Sequence, residues 1–183
     1  MLGLSTVLIR YKLSLVDMNR VMADAVNTIA GMPVSHLSER CEALFAHRIA
    51  PLISEAAREA IEGHRRMGHK VVLLTAQTPY MTALVSNALG LGDEFLCTRL
   101  AVKDGHFTGQ IDGPACYGAG KCHWAQRFAD QHDISLAESY FYTDSYSDLP
   151  MLEAVGHRRV VNPDPRLRLH ATIRRWPVLW FTR

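Results

Sequence analysis

The chain has 183 residues, 48% hydrophobic and 21% charged, and carries a net charge of +2 when histidine is neutral. That length suits one globular domain with a sizeable core, and that composition excludes a disordered chain. Both charge signs are spread along the sequence, so no long-range field selects a nucleic acid or an acidic bilayer as partner, and no apolar run reaches a membrane-spanning length.

The N-terminal stretch lacks a basic segment, apolar core and small-residue cleavage site in series, so the expected location is cytoplasmic. Four cysteines, Cys41, Cys97, Cys116 and Cys122, form no CxxC pair, and the nine histidines form neither HExxH nor a zinc-finger spacing. They read as reduced thiols and ordinary histidines, and nothing in the pattern requires zinc.

The first third of the chain has helical periodicity. Ser14-Leu15-Val16-Asp17 has the form of a capping box, and Met18, Val21, Met22, Ala25, Val26 and Ile29 then recur at helical spacing up to Gly31. Asp17 is therefore expected to be a cap residue. A second helix is expected from Ser35 to about Arg48, and a third from about Ser54 to Met67-Gly68.

At Lys70 the pattern changes. Val71-Val72-Leu73-Leu74 is a continuous apolar run ending in Thr75, as expected of a strand buried on both faces. A helix over 79–89, a strand over 95–99 and a hairpin over 100–111 turning at Asp104-Gly105 follow. Gly118 and Gly120 precede a helix from about Lys121 to Gln131. Then come a strand over 139–143, a short helix over 149–155 and a strand over 159–161. Asp164-Pro165 is a cap and first-turn proline opening a helix to about Ile173, with a last strand over 178–181.

Strands alternating with helices predict an α/β fold, a doubly wound Rossmann-like parallel sheet with helices on both faces. Such sheets bind ligands at the carboxyl ends of their strands. Thr75 and Asp144 both fall at such ends, and Lys121 opens a helix that can follow a loop from the same edge.

The stretch YTDSYSDLP sets Asp144 and Asp148 four positions apart where a strand gives way to a helix. One reading makes Asp148 a helix cap and Asp144 an Asx-turn residue. The other is a magnesium site, since that ion takes oxygen ligands from one or two carboxylates together with waters and a substrate phosphate. Thr75 alone reads as a strand-terminal hydroxyl that satisfies a loop amide. Lys121 is electrostatically misplaced, because a helix N-terminus already favours anions. A phosphate held between its ammonium and nearby backbone amides would make sense of it.

Together, VVLLTAQ with Thr75, GKCHWAQRFA with Lys121, and YFYTDSYSDLPMLEAVG with Asp144 and Asp148 resemble the second, third and fourth motifs of the haloacid dehalogenase-like superfamily. Their order and spacing, with VVNPDPRLR behind them, are similar to its phosphoserine phosphatase-like subgroup, the IB hydrolases. The resemblance implies a core over 70–183 and a partial helical cap over 1–69. It implies that Thr75, with Ala76 and Gln77 beside it, binds a phosphate that Lys121 neutralises, while Asp144 and Asp148 hold magnesium. The implied chemistry is hydrolysis of a small phosphorylated metabolite through a phosphoaspartyl intermediate.

The departure from that pattern is the first motif, an apolar strand ending in Asp-x-Asp, which occurs nowhere in this chain. The nearest match, Leu15-Val16-Asp17-Met18-Asn19, lies inside the helical pattern and leaves no room for cap helices before Thr75. The expectation is therefore a phosphatase-like chain that is itself inactive, with a non-catalytic phospholigand-binding or protein-interaction module as the alternative. Residues 4–10 have strand character and are a candidate for the vacant central strand position. An unfilled position would expose sheet edges and favour a homodimer. Arg166, Arg168, Arg174, Arg175 and Arg183 accompany Trp176 and Trp180 at the C-terminal end. A solvated helix face and a buried strand explain them better than nucleic-acid binding does, so neither a nucleic acid nor a membrane is an expected partner.

Overall fold

The computed structural model describes residues 17–182. Helix α1 spans Met18–Asn27. Asp17 caps it, its carboxylate accepting from the backbone N–H groups of Asn19 (3.0 Å) and Arg20 (3.4 Å). Helix α2 spans Val34–Leu44 and runs into a π-helical turn over Phe45–Ile49 and a 3₁₀ turn over Ala50–Leu52. Helix α3 covers Glu55–Arg66, with Glu55 in its first turn and His64, Arg65 and Arg66 in its last, charges that complement the helix dipole at both ends.

The strands and helices then alternate. Strand β1 is Leu73–Leu74, α4 is Pro79–Ala88 and β2 is Phe95–Leu96, and β1 pairs with β2 in parallel with Leu73 opposite Phe95. Strands β3 (Arg99–Lys103) and β4 (His106–Asp112) form an antiparallel hairpin. Its turn residues Asp104 and Gly105 both take positive φ, 51° and 73°, which matches the Asp-Gly sequence signal. Helix α5 is Ala119–His132. Strands β5 (Tyr140–Thr143), β6 (His157–Val161) and β7 (Val178–Leu179), with α6 (Leu149–Ala154) and α7 (Pro165–Arg174) between them, form a parallel three-stranded sheet in the order β5-β6-β7.

This is the expected α/β architecture, with two corrections. The run from Val71 to Leu74 is half-buried and only its last two residues pair, because among the described residues β1 has a partner on one side alone. The strand expected over 95–99 ends at Leu96, and Arg99 opens the hairpin instead. No ladder joins β1–β2 to β5–β6–β7 among the described residues. The segment over 4–10 considered for the vacant position lies outside them.

The main core fills the space among β5, β6 and the helices α5 to α7. Ala125, Phe141, Met151, Leu152, Val155, Val160, Leu167 and Ala171 are its buried members, and Leu74 of β1 packs against it. The first two helices rest elsewhere. Gly31 donates its N–H to the Phe107 carbonyl (2.8 Å), Phe107 donates to Met32 (3.0 Å) and Val34 to Gly105 (3.0 Å), so backbone hydrogen bonds stitch the α1–α2 corner to the hairpin.

Candidate functional site

Strand alternation decides which side chains meet. In Tyr140-Phe141-Tyr142-Thr143, Phe141 and Thr143 are buried while Tyr140 and Tyr142 are half-buried on the other face. Thr143 thus brings a hydroxyl to the end of the core-facing row. The chain then bends through Asp144 and Ser145 into a 3₁₀ turn over Tyr146–Asp148, which returns the Asp148 carboxylate beneath Thr143.

Asp148 occupies the N-cap position of α6, yet its side chain makes no capping bond. It accepts instead from Lys121 Nζ at 2.6 Å and from Thr143 Oγ1 at 2.7 Å, both through Oδ2. The Lys121 and Asp148 side chains are 10% and 4% exposed, so each charge depends on the other for its neutralisation. The Lys121 ammonium also lies 5.8 Å from the centroid of the Phe141 ring. The cap reading of Asp148 is thereby replaced by a buried ion pair, which also accounts for a lysine near a helix N-terminus.

Lys121 reaches this position because the preceding loop folds tightly against α5. A Cβ on Gly120 would lie 1.9 Å from the Ala115 carbonyl oxygen, so only glycine permits that approach. The same loop buries Cys116 completely. Its backbone N–H donates to Thr98 Oγ1 at 3.0 Å, and its thiol donates to the Leu96 carbonyl at 3.7 Å. Burial pushes that thiol up to about 12, so Cys116 is a neutral packing residue bonded to the end of β2.

Thr75 is half-buried at the end of β1, where its N–H donates to the Leu96 carbonyl and its Oγ1 accepts from the Gln77 N–H at 3.3 Å. That is the strand-terminal loop bond expected of a threonine alone. Ala76 is half-buried, and the Gln77 side chain is exposed while its carbonyl accepts from Thr98 N–H. Asp144 is exposed at the end of β5, and its carboxylate makes no hydrogen bond among the described residues. It lines a cavity of about 270 Å³ with Tyr142, Thr143, Val161, Asn162 and Phe181, at the carboxyl ends of β5, β6 and β7. A larger cavity, about 700 Å³, is lined by residues of α5 together with Leu136 and Ala154 and contains none of these side chains.

Asp164 completes the arrangement. Its Oδ1 caps α7 by accepting from Arg166 and Leu167 N–H groups, its Oδ2 accepts from Tyr146 N–H at 2.7 Å, and its own N–H donates to the Asp144 carbonyl at 2.8 Å. One residue therefore starts a helix and fixes the loop carrying both carboxylates. Sequence reading found the cap but missed the second task. It also missed Thr143, although a hydroxyl on the core-facing row of a strand, next to DxxxD, was a readable sign.

A metal ion has a place here on chemical grounds. The second Asp148 oxygen, Oδ1, is buried and unpartnered, and Asp144 supplies an open carboxylate four residues away. Oxygen donors of this kind suit magnesium, which keeps several waters and needs few protein ligands. Among the described residues no group of three or more His, Cys, Asp or Glu side chains gathers as a metal cage.

The model of the haloacid dehalogenase-like hydrolase family matches residues 3–153. The chain belongs to that family. A probable phosphatase of Mycobacterium tuberculosis is 37% identical over 167 residues, covering 91% of this chain and 58% of the relative. A phosphoserine phosphatase of the same organism is 37% identical over 155 residues, covering 84% of this chain and 50% of the relative. The chain thus spans between half and three fifths of the length of these curated relatives. A crystal structure of a Bordetella pertussis protein with unknown function superposes with a TM-score of 0.84 at 29% identity, covering 96% of this chain and 79% of that one. The family match and these relatives bear out the fold class and the resemblance read from the three motifs.

Proposed function

We propose that this chain carries the phosphate- and metal-binding part of a phosphomonoesterase site for a small phosphorylated metabolite, of the phosphoserine phosphatase-like kind. The observation that carries the reading is the buried Lys121–Asp148 pair with one unpartnered Asp148 oxygen, on the loop that also presents Asp144. Asp144 and Asp148 would hold magnesium, which supplies charge neutralisation of the phosphoryl oxygens. The Thr75 hydroxyl and the amides of Ala76 and Gln77 would bind those oxygens, and Lys121 would add its positive charge from the buried side. In this proposal residues 1–69 act as a cap over a core of residues 70–183. The edges of β1 and β5, unpaired among the described residues, support a homodimer.

The chain contains no Asp-x-Asp and so offers no carboxylate of the kind the family's first motif supplies as nucleophile. We therefore expect the 183-residue chain to bind phosphate without turning it over. The same observation favours the second reading, a non-catalytic phospholigand-binding module. The test combines two measurements on the purified chain and on Asp144→Asn: hydrolysis of an aryl phosphate with magnesium, and thermal stabilisation by inorganic phosphate with magnesium. The expected result is no hydrolysis by either protein, with stabilisation of the unsubstituted chain that Asp144→Asn removes. Hydrolysis abolished by Asp144→Asn would show a nucleophile and overturn the inactivity. Absence of any phosphate-dependent shift would overturn the binding site.

A further inference from the structure

A helix packed on one face normally turns polar residues to water on the other. Helix α7 does not follow that pattern. Leu167 and Ala171 are fully buried against the core, and Leu169 and Ile173, one turn apart on the outward side, are 63% and 71% exposed. Trp180, just beyond β7, is 61% exposed, and the Arg168 guanidinium lies 5.8 Å from its ring. These are the three most exposed large apolar side chains among the described residues. They fall in one stretch of twelve residues.

The charge of that stretch is equally one-sided. From Pro165 to Thr182 there are four arginines, Arg166, Arg168, Arg174 and Arg175, and no aspartate or glutamate. Arg174 meets Glu153 of α6 at a surface distance of 3.9 Å and Arg166 stacks over Tyr146, whereas Arg168, over the Trp180 ring, and Arg175, the C-cap residue of α7, are both exposed. Two aliphatic side chains and an indole, bordered by guanidinium groups, are what an interfacial helix presents to the boundary between headgroups and acyl chains.

We propose that the α7–Trp180 face docks on an anionic lipid surface, with Leu169, Ile173 and Trp180 entering the interface and Arg168 and Arg175 meeting lipid phosphates. This goes beyond the phosphatase reading and does not depend on it. It concerns contact with a bilayer surface, since no helix among the described residues is long and apolar enough to cross a membrane. A second copy of the chain is disfavoured as occupant, because a two-fold contact would set arginines against arginines. A nucleic acid is disfavoured because two of the three exposed apolar side chains are aliphatic, which leaves Trp180 alone as a face for base stacking.

The test is co-sedimentation of the chain with vesicles of phosphatidylcholine alone and of phosphatidylcholine mixed equally with phosphatidylglycerol. Binding is expected only to the mixed vesicles, with a blue shift in the fluorescence difference between the unsubstituted chain and Trp180→Phe. Leu169→Gln with Ile173→Gln should weaken partitioning by about tenfold or more. Arg168→Gln with Arg175→Gln should weaken it by about tenfold and reduce its salt dependence. Circular dichroism and cooperative unfolding should match the parent in both variants, since all four positions are exposed. Failure to sediment, sedimentation indifferent to the Leu169 and Ile173 changes, stronger retention by a single-stranded oligonucleotide, or a dimer abolished by those changes would each overturn the proposal.

Discussion

The two parallel sheets differ in how they are buried. Strands β5 and β6 lie against a cluster whose members Leu152, Val160, Leu167 and Ala171 have no solvent exposure at all. Strands β1 and β2 are half-buried along their whole length, and helices α1 and α3 bury none of their residues completely. The first sheet carries Asp144, Asp148 and Thr143, and the second carries Thr75 at the end of a strand with one partner among the described residues. Rigidity is thus concentrated on the carboxylate side, and the threonine side has lower local stability.

The sharpest way to break this comparison is to truncate one aliphatic side chain to alanine on each side. Leu152→Ala removes a side chain with no exposure from the centre of the cluster, and the expected cost is about 2–5 kcal/mol. That is enough to abolish the folded baseline of a marginal domain in urea titration. Val71→Ala at the half-buried start of the β1 run should cost no more than about 1 kcal/mol, because water already reaches that residue. Equal losses would show that the two sheets are equally well packed and that the comparison is false.

Comparable in size is the effect at the buried pair. Lys121→Met leaves the Asp148 carboxylate, 4% exposed, with the Thr143 hydroxyl as its remaining donor. The expected loss is about 3–5 kcal/mol at neutral pH. Adding Asp148→Leu should recover most of it, since two apolar side chains of similar volume replace two charges. A double variant as unstable as Lys121→Met would mean that the ion pair itself, rather than the orphaned charge, holds the loop. Urea unfolding of the two variants beside the parent makes the distinction.

How much of this was visible in the sequence follows from the range of each interaction. The helix starts at Asp17 and Asp164, the Asp-Gly hairpin turn and the alternation of strands with helices were legible because their signals span a few residues. The Lys121–Asp148 contact was not legible, because it joins residues far apart in sequence through a tight loop at Gly120, and the motif resemblance gave the two residues separate roles. The structure places Lys121 with Asp148 and Thr143, leaves Thr75 in its own loop bond at the end of β1, and leaves Asp144 exposed on a cavity. What no local pattern could reveal was the second apolar face of α7. Only the packed helix shows that Leu167 and Ala171 fill the inward side while Leu169 and Ile173 face out.

A smaller effect should appear with pH, at the contact between α3 and β5. His64 Nδ1 faces His69 Nδ1 at 2.9 Å, and its Nε2 meets the Tyr142 hydroxyl at 2.9 Å. Tyr140 packs edge-on against the ring, and Arg159 of β6 lies behind Tyr142 and Tyr140. Burial, then His69 and then Arg159 hold the His64 imidazole below its ordinary 6.5, so the folded protein binds this proton less readily than the unfolded chain. The sign follows from linkage: this contribution to stability is complete above 6.5 and is lost as pH falls through the folded value. Stability measured from neutral pH downward should fall less steeply in His64→Gln than in the parent. Identical slopes would mean that His64 does not couple α3 to β5 through its protonation.

The smallest effect is expected at the far edge of β2. Lys70 Nζ lies 2.7 Å from Glu94 Oε2 and 3.3 Å from His132 Nδ1, and the lysine also sits 5.5 Å from the Phe128 ring centroid. The hydrogen bond from Lys70 holds the Glu94 carboxyl below its usual range, yet Glu94 is fully solvated, so salt screens the attraction. Glu94→Gln should therefore leave unfolding by urea unchanged within error at physiological salt. Lys70→Met retains the apolar stem against Phe128 and should do the same, whereas Lys70→Gly, which removes that stem, should show the larger of the three effects. A loss on Glu94→Gln comparable to that of Lys121→Met would place a second strong ion pair on the weakly buried sheet, and stability would then no longer be concentrated around Asp148.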